Sequence, residues 1–398
     1  MKKFRYLVVY FCVAVLLLPS SVLAAVITYY VNTDCTSFAG DGTSSACATS
    51  GGGVGAYQNV DQAITARTQN LVSAGNQMDI LCRGAAADTV WLGDLHGMTT
   101  GSSTFVRVKG DNATTGKHLG VWSTGKFRVS NSNYGGAIVP TGCASNTCYL
   151  RFENFQVENK GTGSDPARGI FFGDAGATQG VFYVRQMLIR YNPSSTPTTN
   201  GQNSGIMIQS HGSTGTRKIF AINNVIYGFH AAGFYWNSAG GDVGEEVYGF
   251  NNTIKNNGSG GDVGIFSYGT SDIFQWKNNI MGSYYRESSA TDTFSTNSTT
   301  DTSGPNAALW NISPTFVSET FATADYHLAG ADTGAVEKGT SLAADPSAAF
   351  SSDFEGDTRP QGTSWDLGAD ERVPSGSGYK PILPWQRTLQ PLSGLGTQ

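Results

Sequence analysis

The sequence has no excess of positive charge: 25 Lys and Arg stand against 30 Asp and Glu in 398 residues, a formal net charge of -5. An acidic chain of which only 14% is charged offers no electrostatic footprint for nucleic acid or anionic lipid, so neither is expected as a partner. Beyond residue 24 no stretch holds about 18 consecutive apolar residues, so no transmembrane helix is expected in the mature protein. Helical periodicity is almost absent. The run Gly51-Gly52-Gly53-Val54-Gly55 lacks the Lys and the strand-to-helix setting of a phosphate cradle and reads as a loop. No His stands at metal spacing from the cysteines, which argues against a zinc site.

Met1 to Ala24 reads as a secretory signal. Lys2, Lys3 and Arg5 precede an apolar run from Tyr6 to Leu18, and Val22-Leu23-Ala24 offers a cleavage site. Losing those three cations would take the charge from -5 to -8. The product is expected to be exported, whether secreted, periplasmic or held at the cell surface. Removing Cys12 leaves five cysteines. Cys35 with Cys47 and Cys143 with Cys148 are close pairs suited to disulfides, and Cys82, in the apolar run from Met78, reads as a buried thiol.

What the chain has in quantity is Gly, 51 residues of it, and short β-rich segments that return. One pattern reads Phe152-Glu153-Asn154, Val184-Arg185-Gln186, Ile222-Asn223-Asn224, Phe250-Asn251-Asn252 and Trp276-Lys277-Asn278. Its third positions, 154, 186, 224, 252 and 278, are 32, 38, 28 and 26 residues apart, within the range of repeat architectures. A second pattern begins at Gly169-Ile170-Phe171-Phe172, Gly205-Ile206-Met207-Ile208, Gly233-Phe234-Tyr235-Trp236 and Gly264-Ile265-Phe266-Ser267. Each turn therefore carries at least two strands, and the expected fold is an all-β solenoid of parallel strands. Asn154, Gln186, Asn224, Asn252 and Asn278 are the candidate ladder, each amide bonding its equivalent on the next turn.

At these residues the chain resembles the right-handed parallel β-helix proteins of the pectate-lyase-like superfamily, whose asparagine ladders lie at the same kind of turn. Two further segments carry the resemblance. Tyr29-Tyr30-Val31-Asn32, a helix from Tyr57 to about Ser73 and the strand signal Asn76-Gln77-Met78-Asp79-Ile80 look like an N-terminal cap over the open end of the coil. Asp353-Phe354-Glu355-Gly356-Asp357-Thr358-Arg359-Pro360 and Asp366-Leu367-Gly368-Ala369-Asp370-Glu371 are similar to the closing segment of exported bacterial members. The expected organisation is a signal peptide (1-24), one β-helix domain (25-372) and a Pro/Gly/Ser-rich tail (373-398). Within the domain the cap spans about 25-90 and the closing segment about 307-372. At least two turns are expected between Trp91 and Pro140, and Glu287 to about Asn306 reads as an exposed loop.

Two outward faces are candidates for chemistry. On the first, Glu153 aligns with Arg185 and Glu158 with Arg190, which reads as solvated salt bridges. On the second, alternation turns Ile170, Ile206, Phe234 and Ile265 inward and Phe171, Met207, Tyr235 and Phe266 outward. Such a stripe is covered by loops, covered by another chain, or used as a platform for sugar rings. Asp174, Gln209, Asn237 and Tyr268 lie near it as polar groups suited to a glycan. A lyase for uronic-acid polymers must neutralise the substrate carboxylate, with Ca²⁺ or with cationic groups, and remove the C5 proton. His211 is the candidate base, with Arg168 or Arg217 positioning the carboxylate. Hydrolysis would need two carboxylates, for which Asp242, Glu245, Glu246 and Asp262 are available, but no row of aspartates is present. The expected function is a polysaccharide-active exported protein, a lyase acting by β-elimination. The alternative is a non-catalytic glycan-binding, adhesive or structural protein.

Overall fold

The structure is a computed structural model. It describes residues 24–373 apart from 92, 132–134, 145–146, 162–165, 174–178, 193–202, 210–215, 238–243, 256–262, 269–272, 287–290, 300–308 and 310. The signal-peptide reading, all but Ala24, and the tail from residue 374 lie outside these.

Short β-rich segments separated by turns leave each strand nowhere to pair except with its equivalent one turn on, and the chain coils accordingly. Sheet I has nine described strands: Ala25–Asn32, Asn76–Arg83, Val106–Gly110, Thr147–Glu153, Gln179–Arg185, Arg217–Ile222, Glu245–Phe250, Ile273–Lys277 and Thr291–Ser295. Sheet II has eight, running from Ala87–Asp88 through Arg128–Asn131, Gln156–Asn159, Leu188–Tyr191, Val225–Tyr227, Thr253–Lys255 and Ile280–Met281 to Ser298–Thr299. Sheet III has five: Arg168–Phe172, Ser204–Gln209, Ala232–Asn237, Val263–Tyr268 and Ser283–Arg286. Neighbouring strands within these three sheets are parallel. The fold is the expected parallel β-helix, each full turn running from sheet I through II to III. Val106–Gly110 and Arg128–Asn131 lie on sheets I and II of one turn, so the described residues between Trp91 and Pro140 show one such turn where at least two are expected.

The turn from sheet I to sheet II corrects the repeat alignment by one residue. Asn154, Gln186, Asn223, Asn251, Asn278 and Thr296 have φ of 60°, 54°, 55°, 51°, 59° and 55°, a left-handed conformation that Asn tolerates better than most residues. Strand pairing agrees, setting Val184 opposite Ala221 and Ala221 opposite Gly249. In the third and fourth copies, as in the fifth, the left-handed residue is the first of two consecutive asparagines, which places the equivalent positions at 223 and 251 and not at 224 and 252. In a strand that slip exchanges the buried and exposed faces.

The slip conceals two rows of amides with different work. The inner row is Asn224, Asn252, Asn279 and Asn297: each Nδ2 of the first three donates to the next Oδ1, at 2.9, 2.9 and 2.8 Å. Each also donates to a backbone carbonyl, of Val184, Ala221, Gly249 and Trp276 in turn. Asn224 and Asn252 are therefore ladder residues, whereas Asn154, Gln186 and Asn278 stand one place earlier, in the left-handed turn. The outer row holds down the closing segment: Gln186 donates to Asp353 O, Asn223 to Ser352 O, Asn251 to Asp366 O and Gly368 O, and Asn278 to Thr340 O.

The core is an apolar column inside the coil, including Phe152, Val184, Ile206, Phe234 and Trp276. Gly249 is required there, since a Cβ on it would lie 1.9 Å from Trp276 Cζ3. At the N-terminal end the expected helix is two short ones, Val60–Ala66 and Leu71–Ala74, the second begun by Asn70, whose side chain accepts from Ser73 N. Residues 291–299, expected as loop, form strands of a further turn, with Asn297 completing the inner row. Ser/Thr-rich composition yields there to a ladder that pairs every amide. Disulfides join Cys35 to Cys47 and Cys143 to Cys148, and Cys82 is a buried thiol.

The closing segment packs on the outer faces of sheets I and II. Phe350, Trp365 and Leu342 cover Ile222 and Phe250 of sheet I, while Tyr326, Leu367 and Phe354 join Leu188, Val225 and Tyr227 of sheet II. Its acids hold backbone. Asp353 Oδ1 accepts from the N–H of Glu355, Gly356 and Asp357, and buried Arg359 pairs with Glu371 at 2.8 Å.

Candidate functional site

Sheet III carries the expected stripe, with Phe171, Met207, Tyr235 and Phe266 in one column and Ile170, Ile206 and Phe234 buried beneath. None of the first three is an open platform: Met207 is fully buried, and Phe171 and Tyr235 are half-buried. Arg168 is buried, with its guanidinium 4.3 Å from the Phe171 ring centroid and Nη1 donating to Gly135 O at 3.3 Å. Arg217 is buried completely. Its Nη2 lies 2.6 Å from Glu245 Oε1 and its Nε donates to Glu245 Oε2, while further bonds run to Gly173 O and Gln209 O. A guanidinium so engaged is closed to a substrate carboxylate, and Glu245 is equally spent as a hydrolytic acid. Gln209 contributes its carbonyl to that cluster and is half-buried. Asp174 and His211 lie outside the described residues, as do the side chains of Asn237, Phe266 and Tyr268 and the whole of Asp242 and Asp262.

Sheet I presents a different arrangement on its outer face. Strand pairing places Arg107, Arg151, Tyr183, Phe220 and Tyr248 in one column across five turns. Tyr183 stacks on Phe220 at 4.6 Å and 12°, and Phe220 on Tyr248 at 4.7 Å and 9°. Ring faces are consumed by one another along this stack, and Phe220 and Tyr248 are buried in the cluster with Leu342, Phe350 and Trp365, so only the Tyr183 end of the stack stays partly open. At its start the guanidinium of Arg151 takes the place of a ring, 4.6 Å from the Tyr183 centroid and 3.6 Å from that of Phe105. Cation–π contact on both faces fixes the plane of the group. Burial lowers the Arg151 pKa from its ordinary value, but an arginine stays charged in any case.

Around this sandwich lies a groove of ≈ 210 Å³ lined by Ser102, Phe105, Tyr149, Arg151, Tyr183 and Lys218, among others. Lys218 is held by Glu246 at 2.7 Å, and Glu246 also accepts from the Tyr248 hydroxyl. Burial and Glu246 together raise the Tyr248 pKa. Among the described residues, no acceptor bonds to the Arg151 nitrogens and no carboxylate lies within ion-pair distance of them. Arg107, one strand earlier, is by contrast paired with Asp79 and lies 3.8 Å from Glu153. The expected Glu158–Arg190 pair forms at 2.5 Å. Glu153 and Arg185 face each other across strands as expected, yet no ion pair joins them.

This column escaped the reading of the sequence, although a signal for it exists. Tyr183, Phe220 and Tyr248 each stand three residues before a left-handed turn residue, at Gln186, Asn223 and Asn251. With the copies aligned one residue late, the aromatic positions fell out of register.

The arrangement defines a class: a parallel β-helix with a cationic, aromatic-walled groove on one sheet. The crystal structure of pectate lyase Pel9A is similar to this chain at 17% identity and a TM-score of 0.37, covering 87% of this chain and 96% of that one. No protein-family profile matches the sequence, and no curated protein matches it.

Proposed function

We propose that the protein is an exported polysaccharide-active protein that seats an acidic glycan in the groove on sheet I. One observation carries this reading: Arg151 is held rigid between Phe105 and Tyr183, with its hydrogen-bond donors unspent among the described residues. A planar guanidinium is the side chain best matched to a carboxylate, which it binds through two parallel bonds. Tyr149, Tyr183 and Ser102 add apolar edges and hydroxyls of the kind that pack against a sugar. Two disulfides fit an oxidising compartment outside the cytosol.

Binding is what the geometry supports best. Elimination is the second reading, favoured by the presence of Tyr149 and Lys218 in the same groove as the carboxylate anchor. Holding the uronate carboxylate on Arg151 would acidify the C5 proton, and one of these groups would accept it as the C4 oxygen leaves. For calcium, implied by the resemblance, the described residues contain no group of three or more His, Cys, Asp or Glu side chains placed to hold a metal, so no step is drawn through one.

The test is retention of the secreted protein on immobilised uronic-acid polymers against neutral ones, together with absorbance of the unsaturated product, with and without Ca²⁺. Retention on acidic polymers alone supports binding, and product formation adds the lyase. Equal behaviour toward acidic and neutral polymers overturns the proposal.

A further inference from the structure

On the strand next to Arg151, the residue opposite it is Tyr183, and Arg185 stands two places further along the same face. Strand spacing and rise put the two arginines diagonally about 8 Å apart at their Cα atoms. Arg185 resembles Arg151 in what it lacks. No acceptor bonds to it among the described residues, and its Nε is buried without a partner. Glu153, which the pairing sets beside it, has its nearest ion-pair contact with Arg107 instead.

The surrounding face is cationic on a chain whose net charge is -5. Arg107, Lys109, Arg151 and Arg185 stand on three successive strands with only Asp79 and Glu153 as acids in the same two columns. A partly buried cation without an ion-pair contact is costly, and an arriving anion relieves that cost. Two such cations on one rigid sheet would relieve it together.

We propose that Arg151 and Arg185 form a two-point clamp for a polyanionic glycan, each arginine taking one carboxylate of a uronic-acid oligomer. The clamp rests on the reading of the groove as a glycan site and adds to it a requirement: the ligand must carry two anionic groups. A single uronate engages Arg151 alone. Longer oligomers engage both and gain in affinity beyond the statistical effect of a second group.

Calorimetric titration with galacturonate and its dimer and trimer tests this on the wild type, Arg185→Gln, Arg185→Lys and Arg151→Gln. The expected result is that Arg185→Gln weakens the trimer by about tenfold and leaves the monomer unchanged, as loss of one charge-assisted bond implies. Arg185→Lys should keep much of the trimer affinity, and Arg151→Gln should weaken monomer and trimer alike. The slope of log K against log[salt] for the trimer should also fall in Arg185→Gln. If that variant binds the trimer as the wild type does while Arg151→Gln does not, the clamp is overturned and the groove stands as a one-point site. If the wild type binds none of the three, both the clamp and the groove reading fall.

Discussion

Asn252 lies directly beneath Asn224 in the wall of the coil, its Oδ1 accepting from the Asn224 side chain at 2.9 Å and from the Asn224 backbone N–H at 3.0 Å. Its own Nδ2 donates to Asn279 and to Ala221 O, so one amide satisfies partners on the turns at either side of it.

Replacing Asn252 by Ala therefore leaves several buried groups unpaired at once. A loss on the order of 3 kcal/mol is expected, since each orphaned buried group costs about 1–3 kcal/mol. Thermal unfolding of the variant should show a clear fall in Tm, whereas Asn154→Ala, at the turn outside the ladder, should show a smaller one.

How much of this was legible follows from the same residues. Parallel coiling could be read because apolar and amide positions recur without helical spacing, and the start of a helix after Tyr57 because Asn59 and Gln62 sit where one begins. Register was not, because Asn223-Asn224 and Asn251-Asn252 each offer two amides, and only backbone geometry decides which one turns left-handed. That ambiguity also hid the groove, whose aromatic column depends on the register. Arg168 and Arg217 looked available in the sequence because burial has no local signature: Arg217 is sealed by Glu245, 28 residues away on the next turn.

Gly249 tests the packing of the core. Gly249→Ala would drive a methyl into the Trp276 ring, which is itself buried. Overpacking of this kind costs about 1–3 kcal/mol. Near-ultraviolet circular dichroism should report the displaced indole along with a lower Tm.

Stability should fall as pH rises from about 4 to 8. Burial raises Asp353 to about 7 and Asp366 and Asp370 to about 6, all in the closing segment. A carboxyl raised above its unfolded value favours the folded state when protonated, and that contribution is lost as pH climbs through the raised pKa. His327 acts in the same direction at higher pH. Burial would lower it, but hydrogen bonds to Asp325 and Glu355 override burial and hold it at about 11. Its contribution is complete below about 6.5 and declines as pH rises through the folded value. A scan of Tm against pH should be higher at pH 5 than at pH 8. A Tm that rises over this interval would contradict the assignment of these groups.

The most direct measurement is the affinity of a uronic-acid polymer for the wild type and for Arg151→Gln, at low and high salt, with circular dichroism confirming that the variant is folded. Loss of a charge-assisted hydrogen-bonded contact should cost about 1.5–3 kcal/mol, a weakening of roughly 10- to 100-fold. The difference should shrink as salt is raised. Equal affinity of the two folded proteins at low salt would show that Arg151 does not anchor the ligand and that the groove on sheet I is not the glycan site.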